Sequence, residues 1–198
     1  MYVFDLDGTL VDSVEAHVAA WLEALERLGR PTPYEAVRPL MGLPAREIAR
    51  RLFPEKADEL ARLKVELFLK KYIEHVRPYP DVDALEALPR PIAVVSSSSG
   101  VLVRAVLARA GIRAEYALGG DEVPRGKPAP DPLFLLSDIS GVAPARMVVV
   151  GDSRYDVEMA LAAGAMPICI ARAAPPCAEG VRAIRSLREL VDLSRRQN

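Results

Sequence analysis

Tyr2, Val3 and Phe4 open the chain as a bulky apolar run that stops at Asp5, the pattern of a buried strand broken by the turn chemistry of Asp7-Gly8. Val14, Val18, Trp21, Leu22, Leu25 and Leu28 then recur at helical spacing, with Ser13 placed to cap the helix and Gly29 to end it. Pro31 and Pro33 mark a loop, 36–40 is a short apolar piece, and Met41-Gly42-Leu43-Pro44 is a break. Residues 45–53 read as a helix stopped by Pro54. Residues 58–76 read as one longer helix, with a broad apolar face that includes Leu60, Leu63, Leu67 and Tyr72. Between 14 and 77 the pattern holds helices and no convincing strand.

At Arg77-Pro78-Tyr79-Pro80 the period changes. A short helix over 81–88 leads to Pro89-Arg90-Pro91 and to a second apolar strand over 92–95, which runs into Ser96-Ser97-Ser98-Ser99-Gly100. A helix over 101–110 closed by Gly111, a weak strand over 116–118 and a long loop to Pro130 follow. Then come a helix over 131–138, a strand over 147–150, a helix over 155–163 closed by Gly164, a strand over 167–170 and a last helix over 187–193 capped by Ser186. Alternating strands and helices predict an α/β fold, a Rossmann-like parallel sheet with helices on both faces. The opening strand belongs to that sheet, so the helical block is an insertion: residues 1–13 and 78–198 form the core, and 14–77 a small all-helical cap.

Composition changes this picture little. The chain has 198 residues, 51% hydrophobic and 27% charged, with a net charge of −1. This is ordinary for a soluble enzyme, with no basic stripe for nucleic acid and no apolar run long enough for a membrane. A strand beginning at residue 2 leaves no room for a leader, so the expected location is cytoplasmic. Cys169 and Cys177 have no neighbouring His or second Cys pair and read as two incidental thiols. Gln197 and Asn198 are the only side-chain amides, a scarcity that hints at a thermophilic source.

The chemistry lies at the strand ends. Asp5 and Asp7 follow the first strand, Ser96 the second, Lys127 stands in the loop after the third, and Asp152 and Asp156 follow the fourth. In a parallel sheet these ends share one edge, where ligands bind. Alternate positions of an extended segment share a side, so Asp5 and Asp7 can face one small volume, where like charges need a cation between them. Oxygen ligands suit a hard divalent ion, Mg²⁺ before others. A calcium loop of the EF-hand type does not fit, because Gly8 stands fourth from Asp5 rather than sixth. Carboxylates, a hydroxyl and an ammonium together suit phosphoryl transfer, in which a carboxylate attacks phosphorus while positive charge is held close. His17 and His75, each within a helix, read as partly buried or surface histidines rather than catalysts.

Over nearly its whole length the chain resembles the haloacid dehalogenase superfamily, in its phosphatase branch with a helical cap of the C1 type. The four motifs that carry the resemblance are Asp5-Leu-Asp-Gly-Thr-Leu-Val-Asp-Ser13, Val94-Val-Ser96, Gly126-Lys-Pro-Ala-Pro-Asp131 and Gly151-Asp-Ser-Arg-Tyr-Asp156. The resemblance implies Asp5 as nucleophile and Asp7 as the acid that protonates the leaving alkoxide and then activates water. It implies Mg²⁺ held by Asp5, Asp152 and the main-chain carbonyl of Asp7. Ser96, Ser97 and Ser98, with the amides there and the helix N-terminus beyond them, would bind the phosphoryl group with Lys127 and with Gly8 and Thr9 of the first motif. Asp156 would be an outer acid near the metal or a partner for Lys127.

Dehalogenases of the superfamily lack the second acid of the first motif, so Asp7 favours a phosphatase. The cap segment Met41-Gly42-Leu43-Pro44-Ala45 has Ala45 near where phosphonoacetaldehyde hydrolases place a lysine and beta-phosphoglucomutases an arginine, with Arg46 next to it. The expectation is a phosphoglycolate phosphatase-like hydrolase of a small phosphorylated metabolite, with Arg46 or Arg38 meeting an anionic group of the substrate. A sugar phosphomutase and a catalytically idle phosphate-binding domain are the alternatives.

Overall fold

A computed structural model describes residues 1–172 and 175–195 of the protein. β1 (Tyr2–Phe4) is followed by β2 (Val11–Asp12), α1 (Val14–Arg27), α2 (Tyr34–Val37), α3 (Ala45–Leu52), α4 (Ala57–Leu67) and β3 (Arg77–Pro78). The chain continues through β4 (Ile92–Val95), α5 (Gly100–Ala110), β5 (Tyr116–Leu118), α6 (Asp131–Ser140), β6 (Val148–Gly151), α7 (Arg154–Ala163), β7 (Met166–Ile170), β8 (Ala183–Ile184) and α8 (Arg188–Arg195).

Six strands form one sheet in the order β5-β4-β1-β6-β7-β8, every pairing parallel. β1 lies between β4 and β6, with Phe4 level with Val94 on one side and Val150 on the other. From β1 the chain first builds one half of the sheet through β4 and β5, then crosses to build the other from β6. β1 therefore stands at the switch point where such sheets open a crevice. Its side chains alternate between the two faces. Phe4 packs with Val94, Val150, Leu102 and Val106, and Val3 with Ala93, Val149, Leu133 and Met159. Burial on both faces explains why these strands read as unbroken apolar runs. The α/β expectation therefore matches the structure.

The helices between β2 and β3 enclose a separate apolar cluster built on Val18, Trp21, Leu25, Ile48, Leu60 and Leu67. β2 and β3 pair antiparallel, Val11 with Pro78 and Asp12 with Arg77, so the chain leaves and rejoins the α/β layer at adjacent points.

The structure differs from the pattern in four places. The helix expected over 58–76 ends at Leu67 and continues as a π turn over Phe68–Tyr72 and a 3-10 turn over Ile73–His75. The widened turn keeps the Phe68 ring stacked on His17, with centroids 4.1 Å apart, a contact that periodicity cannot show. The helix expected over 81–88 is a 3-10 run, Val82–Ala87. The two-residue strands β2, β3 and β8 escape notice because they are too short to show a period. Finally, Cys169 and Cys177 are not free thiols: they form a disulfide, with Cα atoms 5.8 Å apart. The chain turns back after β7 and brings the second cysteine over the first, which residue spacing alone did not reveal. Among the described residues no helix is long and apolar enough to cross a membrane.

Candidate active site

The register that levels Phe4 with Val94 and Val150 also sets the ends of β1, β4 and β6 side by side, and the chemistry-bearing residues follow directly. The amide of Asp5 donates to the Val150 carbonyl at 2.8 Å, which extends β1 by one residue and fixes the carboxyl at the rim. Lys127 reaches it from the loop after β5. Its Nζ donates to Asp5 Oδ1 and to Asp156 Oδ1, both at 2.6 Å, and all three residues are buried. Burial works against the Lys127 charge, but the Asp156 and Asp5 carboxylates outweigh it and hold the ammonium above its usual range. Burial likewise pushes the Asp5 carboxyl well up. Lys127 opposes that rise, while Asp156, Asp152 and Asp7 add to it.

Asp7 is in the opposite condition. Its Oδ1 accepts from Ser13 Oγ at 2.5 Å and lies 2.9 Å from His17 Nε2, and its Oδ2 accepts from Ser96 Oγ and Ser98 Oγ, both at 3.1 Å. His17 Nδ1 in turn lies 2.7 Å from Lys64 Nζ. One proton arrangement satisfies all of these contacts: the Lys64 ammonium donates to Nδ1, and a neutral imidazole donates its Nε2 proton to Asp7. Burial raises the Asp7 carboxyl, but His17, Ser13 and Lys64 overcome it and hold the group far below the carboxylate range. Burial lowers Lys64 to about 8, with Asp7 opposing, and burial with the nearby Lys64 also lowers His17.

His17, Lys64 and Ser13 are site residues that sequence reasoning missed. Ser13 precedes α1, as expected of a cap, yet makes no side-chain capping bond, because its hydroxyl is turned to Asp7. A signal for Lys64 was present: it stands between Leu60 and Leu67 on the buried stripe of α4, where an unpaired lysine does not belong.

Ligand oxygens of Asp5, Asp152 and Asp156 lie within 4.8 Å of one another. Asp156 has both oxygens engaged, Oδ1 by Lys127 and Oδ2 by the amide and hydroxyl of Ser153 at 3.1 and 2.6 Å, so it serves as the partner of Lys127 and in the capping box of α7. Asp5 and Asp152 remain as the carboxylates that fit a divalent cation. Although Asp152 is exposed as a residue, its carboxyl is pushed up to about 7 by desolvation and then by the Asp156 charge, as expected of crowded acids. Gly8 makes that crowding possible: at φ 92°, a Cβ there would stand 2.4 Å from Asp152 Oδ2. Thr9 Oγ1 donates to Asp152 Oδ1 at 3.3 Å. Gly8 and Thr9 therefore shape the acidic pair and, unlike the serines, do not line the cavity.

A cavity of about 290 Å³ lies between this rim and the helices. Ser96, Ser97, Ser98 and Lys127 line it from the core; Trp21 and Ile48 line it from the helices and Leu43 from the turn before α3, with Arg38 and Lys64 as the cations on that side. Ser97 Oγ donates to the Gly42 carbonyl at 2.7 Å and so links the two sides. Of the two arginines expected to meet a substrate anion, the structure brings Arg38 to the cavity, paired with Glu15 at 2.9 Å, and leaves Arg46 exposed on α3 away from it. Two amides expected to face a phosphoryl group are engaged within the protein, Ser98 N with Ser96 Oγ at 3.0 Å and Gly100 N with Asp121 Oδ1 at 2.7 Å.

Known proteins resemble this chain in sequence and fold. The family model of the haloacid dehalogenase-like hydrolases matches residues 2–170. A phosphoglycolate phosphatase of Neisseria meningitidis is 35% identical over 181 residues, spanning 83% of this chain and 77% of that protein. A fructose-1-phosphate phosphatase of Escherichia coli is 34% identical over 171 residues, spanning 82% of this chain and 91% of that protein. Among solved structures, a predicted phosphoglycolate phosphatase from Haemophilus somnus superposes with a TM-score of 0.85 at 23% identity, covering 98% of this chain and 97% of that one, which speaks to the fold.

Proposed function

The chain belongs to the haloacid dehalogenase-like hydrolase family and is a phosphatase, and from that premise we propose that it hydrolyses a small phosphomonoester with Mg²⁺ through an aspartyl-phosphate on Asp5. The observation that carries this reading is the placement of Asp5 at the cavity floor, bonded to the buried Lys127 and beside Asp7, Ser96 and Ser98. Asp5, Asp152 and the Asp7 main-chain carbonyl would hold the ion, which supplies positive charge against the approaching phosphate dianion.

The protein's own residues do the rest. Lys127 neutralises Asp5 and offers its remaining proton to a phosphoryl oxygen. The Asp5 carboxylate attacks phosphorus, and the bond from phosphorus to the ester oxygen breaks as Asp7 gives that oxygen a proton. Asp7 then removes a proton from the water that cleaves the acyl-phosphate. Its two duties need two proton affinities, and the hydrogen bonds supply them. A phosphoryl oxygen competes with Asp7 Oδ2 for the Ser96 and Ser98 hydroxyls, so ester binding withdraws two donors and raises the proton affinity of the carboxyl. Release of phosphate returns the donors and favours the ionised base.

Residues 14–77 act as a cap: Trp21, Leu43 and Ile48 roof the reacting atoms and limit water, and Arg38 is the cation offered to the remainder of the substrate. The cavity suits a metabolite of a few carbons, in the class of 2-phosphoglycolate or a sugar phosphate.

The test is hydrolysis of a panel of phosphate esters that includes 2-phosphoglycolate and fructose 1-phosphate, with and without Mg²⁺. The wild type is expected to turn over at least one ester only with the metal, and Asp5→Asn to lose turnover while keeping its melting temperature. Retained turnover in Asp5→Asn removes the nucleophile assignment.

A further inference from the structure

Behind the loop after β1 lies a second ion pair, partly buried, that the phosphatase mechanism does not use. Arg172 follows β7, and each end of its guanidinium has a separate partner: Nη2 donates to the Thr9 carbonyl at 2.7 Å and Nη1 to Asp81 Oδ2 at 2.9 Å. Its face lies 3.8 Å from the Tyr79 ring centroid, and Tyr79 holds the same loop through its backbone amide, which donates a hydrogen bond to the Leu10 carbonyl at 3.0 Å. Asp81 is itself fixed, accepting from Ser186 Oγ and the Leu187 amide, both at 2.8 Å. Arg172 is thus a strut with one end in the far side of the core and the other on Thr9, whose hydroxyl orients Asp152. A planar fork suits this double task, which a lysine cannot perform.

The strut is bracketed by the disulfide. Cys169 lies on β7, fully buried, and Cys177 stands eight residues on, with Arg172 between them in sequence. Cys177 Sγ sits 3.6 Å from the carbonyl oxygen of Gly151, the residue before Asp152. This is a packing contact, since a disulfide sulfur has no proton to donate. The cross-link therefore ties Cys177 back to β7, just before Arg172, and touches the strand end that carries Asp152.

We propose that Arg172 is a positioning residue that sets Thr9 and Asp152 for the metal-dependent reaction, and that the Cys169–Cys177 bond couples this positioning to thiol redox state. A dithiol gives two electrons and two protons to the S–S bond and becomes a disulfide itself, leaving two thiols here. The segment around Arg172 then regains conformational freedom, and the strut is held less often. The inference rests on the phosphatase reading for the reaction that the positioning serves and for its assay, while amide exchange over residues 6–11 reads the strut itself.

The test compares wild type, Arg172→Ala and Arg172→Lys, each oxidised and after dithiothreitol, with free thiols counted and melting temperatures recorded. Turnover of 4-nitrophenyl phosphate is measured across Mg²⁺ concentrations, and amide hydrogen exchange is followed over residues 6–11. Arg172→Ala is expected to lower kcat about tenfold and to raise the half-activating Mg²⁺ concentration, with KM for the ester nearly unchanged and exchange over 6–11 faster. Arg172→Lys should restore little of this. Reduction of the wild type should move kcat, Mg²⁺ dependence and exchange in the same direction, and should change none of them in Arg172→Ala.

An Arg172→Ala protein that merely melts lower, with unchanged Mg²⁺ dependence and exchange, overturns the positioning role. Equal effects of reduction in wild type and Arg172→Ala, or two free thiols in the untreated protein, overturn the redox coupling. A wild type that hydrolyses no ester defeats the phosphatase reading instead and leaves the exchange result to decide this one.

Discussion

Replacing Lys127 with methionine removes one cation and strands two anions. Lys127 Nζ is bonded at 2.6 Å to both Asp5 and Asp156, and the side chains of all three are at most a tenth exposed. Breaking a buried ion pair by deleting one partner is worth about 3–5 kcal/mol, because the remaining charge stays desolvated. At roughly 2–4 °C per kcal/mol for a chain of this size, Lys127→Met should melt about 6–20 °C below the wild type. The loss should depend on pH, with a definite sign. Burial already places the Asp5 carboxyl well above its usual range, and Lys127 is the group that opposes that rise. Without the lysine the folded-state affinity for a proton rises further, and a carboxyl bound more tightly to its proton when folded destabilises the fold as pH increases. The gap in melting temperature between variant and wild type should therefore widen as pH rises above the ordinary carboxylate range. Calorimetry or thermal shift at several pH values, without metal, measures it directly. A variant within about 2 °C of wild type at the higher pH, or a gap independent of pH, would show that the lysine does not carry the charge balance of the site.

Asp7→Asn should slow an alkyl phosphate far more than 4-nitrophenyl phosphate, since only a poor leaving group needs the proton; equal losses would remove the acid role. Mg²⁺ should stabilise the protein more as pH rises through about 7, because the Asp152 carboxyl, raised to that value by desolvation and Asp156, must ionise before it ligates. A thermal shift with Mg²⁺ that is flat between about pH 6 and about pH 8 contradicts this. Lys64→Met removes one of the groups that depress Asp7, so the acidic limb of the pH–rate profile should move upward. An unmoved limb, in a variant that still folds, would separate Lys64 from the chemistry.

The α/β layer was legible in the sequence because its strands are buried on both faces and its helices end in glycine. Gly111 and Gly164 take left-handed conformations at the ends of α5 and α7, where the pattern places them. The rim residues were legible for the same reason, since a residue after a buried parallel strand has only one edge on which to emerge. What was hidden depends on contacts between elements. The disulfide needs the return of the chain over β7, and the π turn after α4 needs the His17 ring. Arg46 and Arg38 were indistinguishable as charges near the cap loop, and only the packing of α3 turns one of them away from the cavity.

Several local rules are broken around one carboxyl. Ser13 forgoes the capping bond that its position invites, Lys64 occupies an apolar stripe, His17 is buried, and the helix after Leu67 widens to lay Phe68 against that histidine. Each departure opposes stability on its own, by a lost cap, a desolvated ammonium or a poorer turn. Independent defects would be scattered, since nothing in folding favours their meeting. These converge because Ser13, His17 and Lys64 act on a single atom or on its immediate donor, Asp7 Oδ1. Concentrated violation of this kind marks a place where chemistry constrains the sequence against packing. It also indicates what the helices between β2 and β3 contribute beyond a roof: α1 and α4 bring His17 and Lys64 to an acid held by the loop after β1. The protonation of Asp7 therefore depends on where those helices sit, as well as on the α/β layer that carries it.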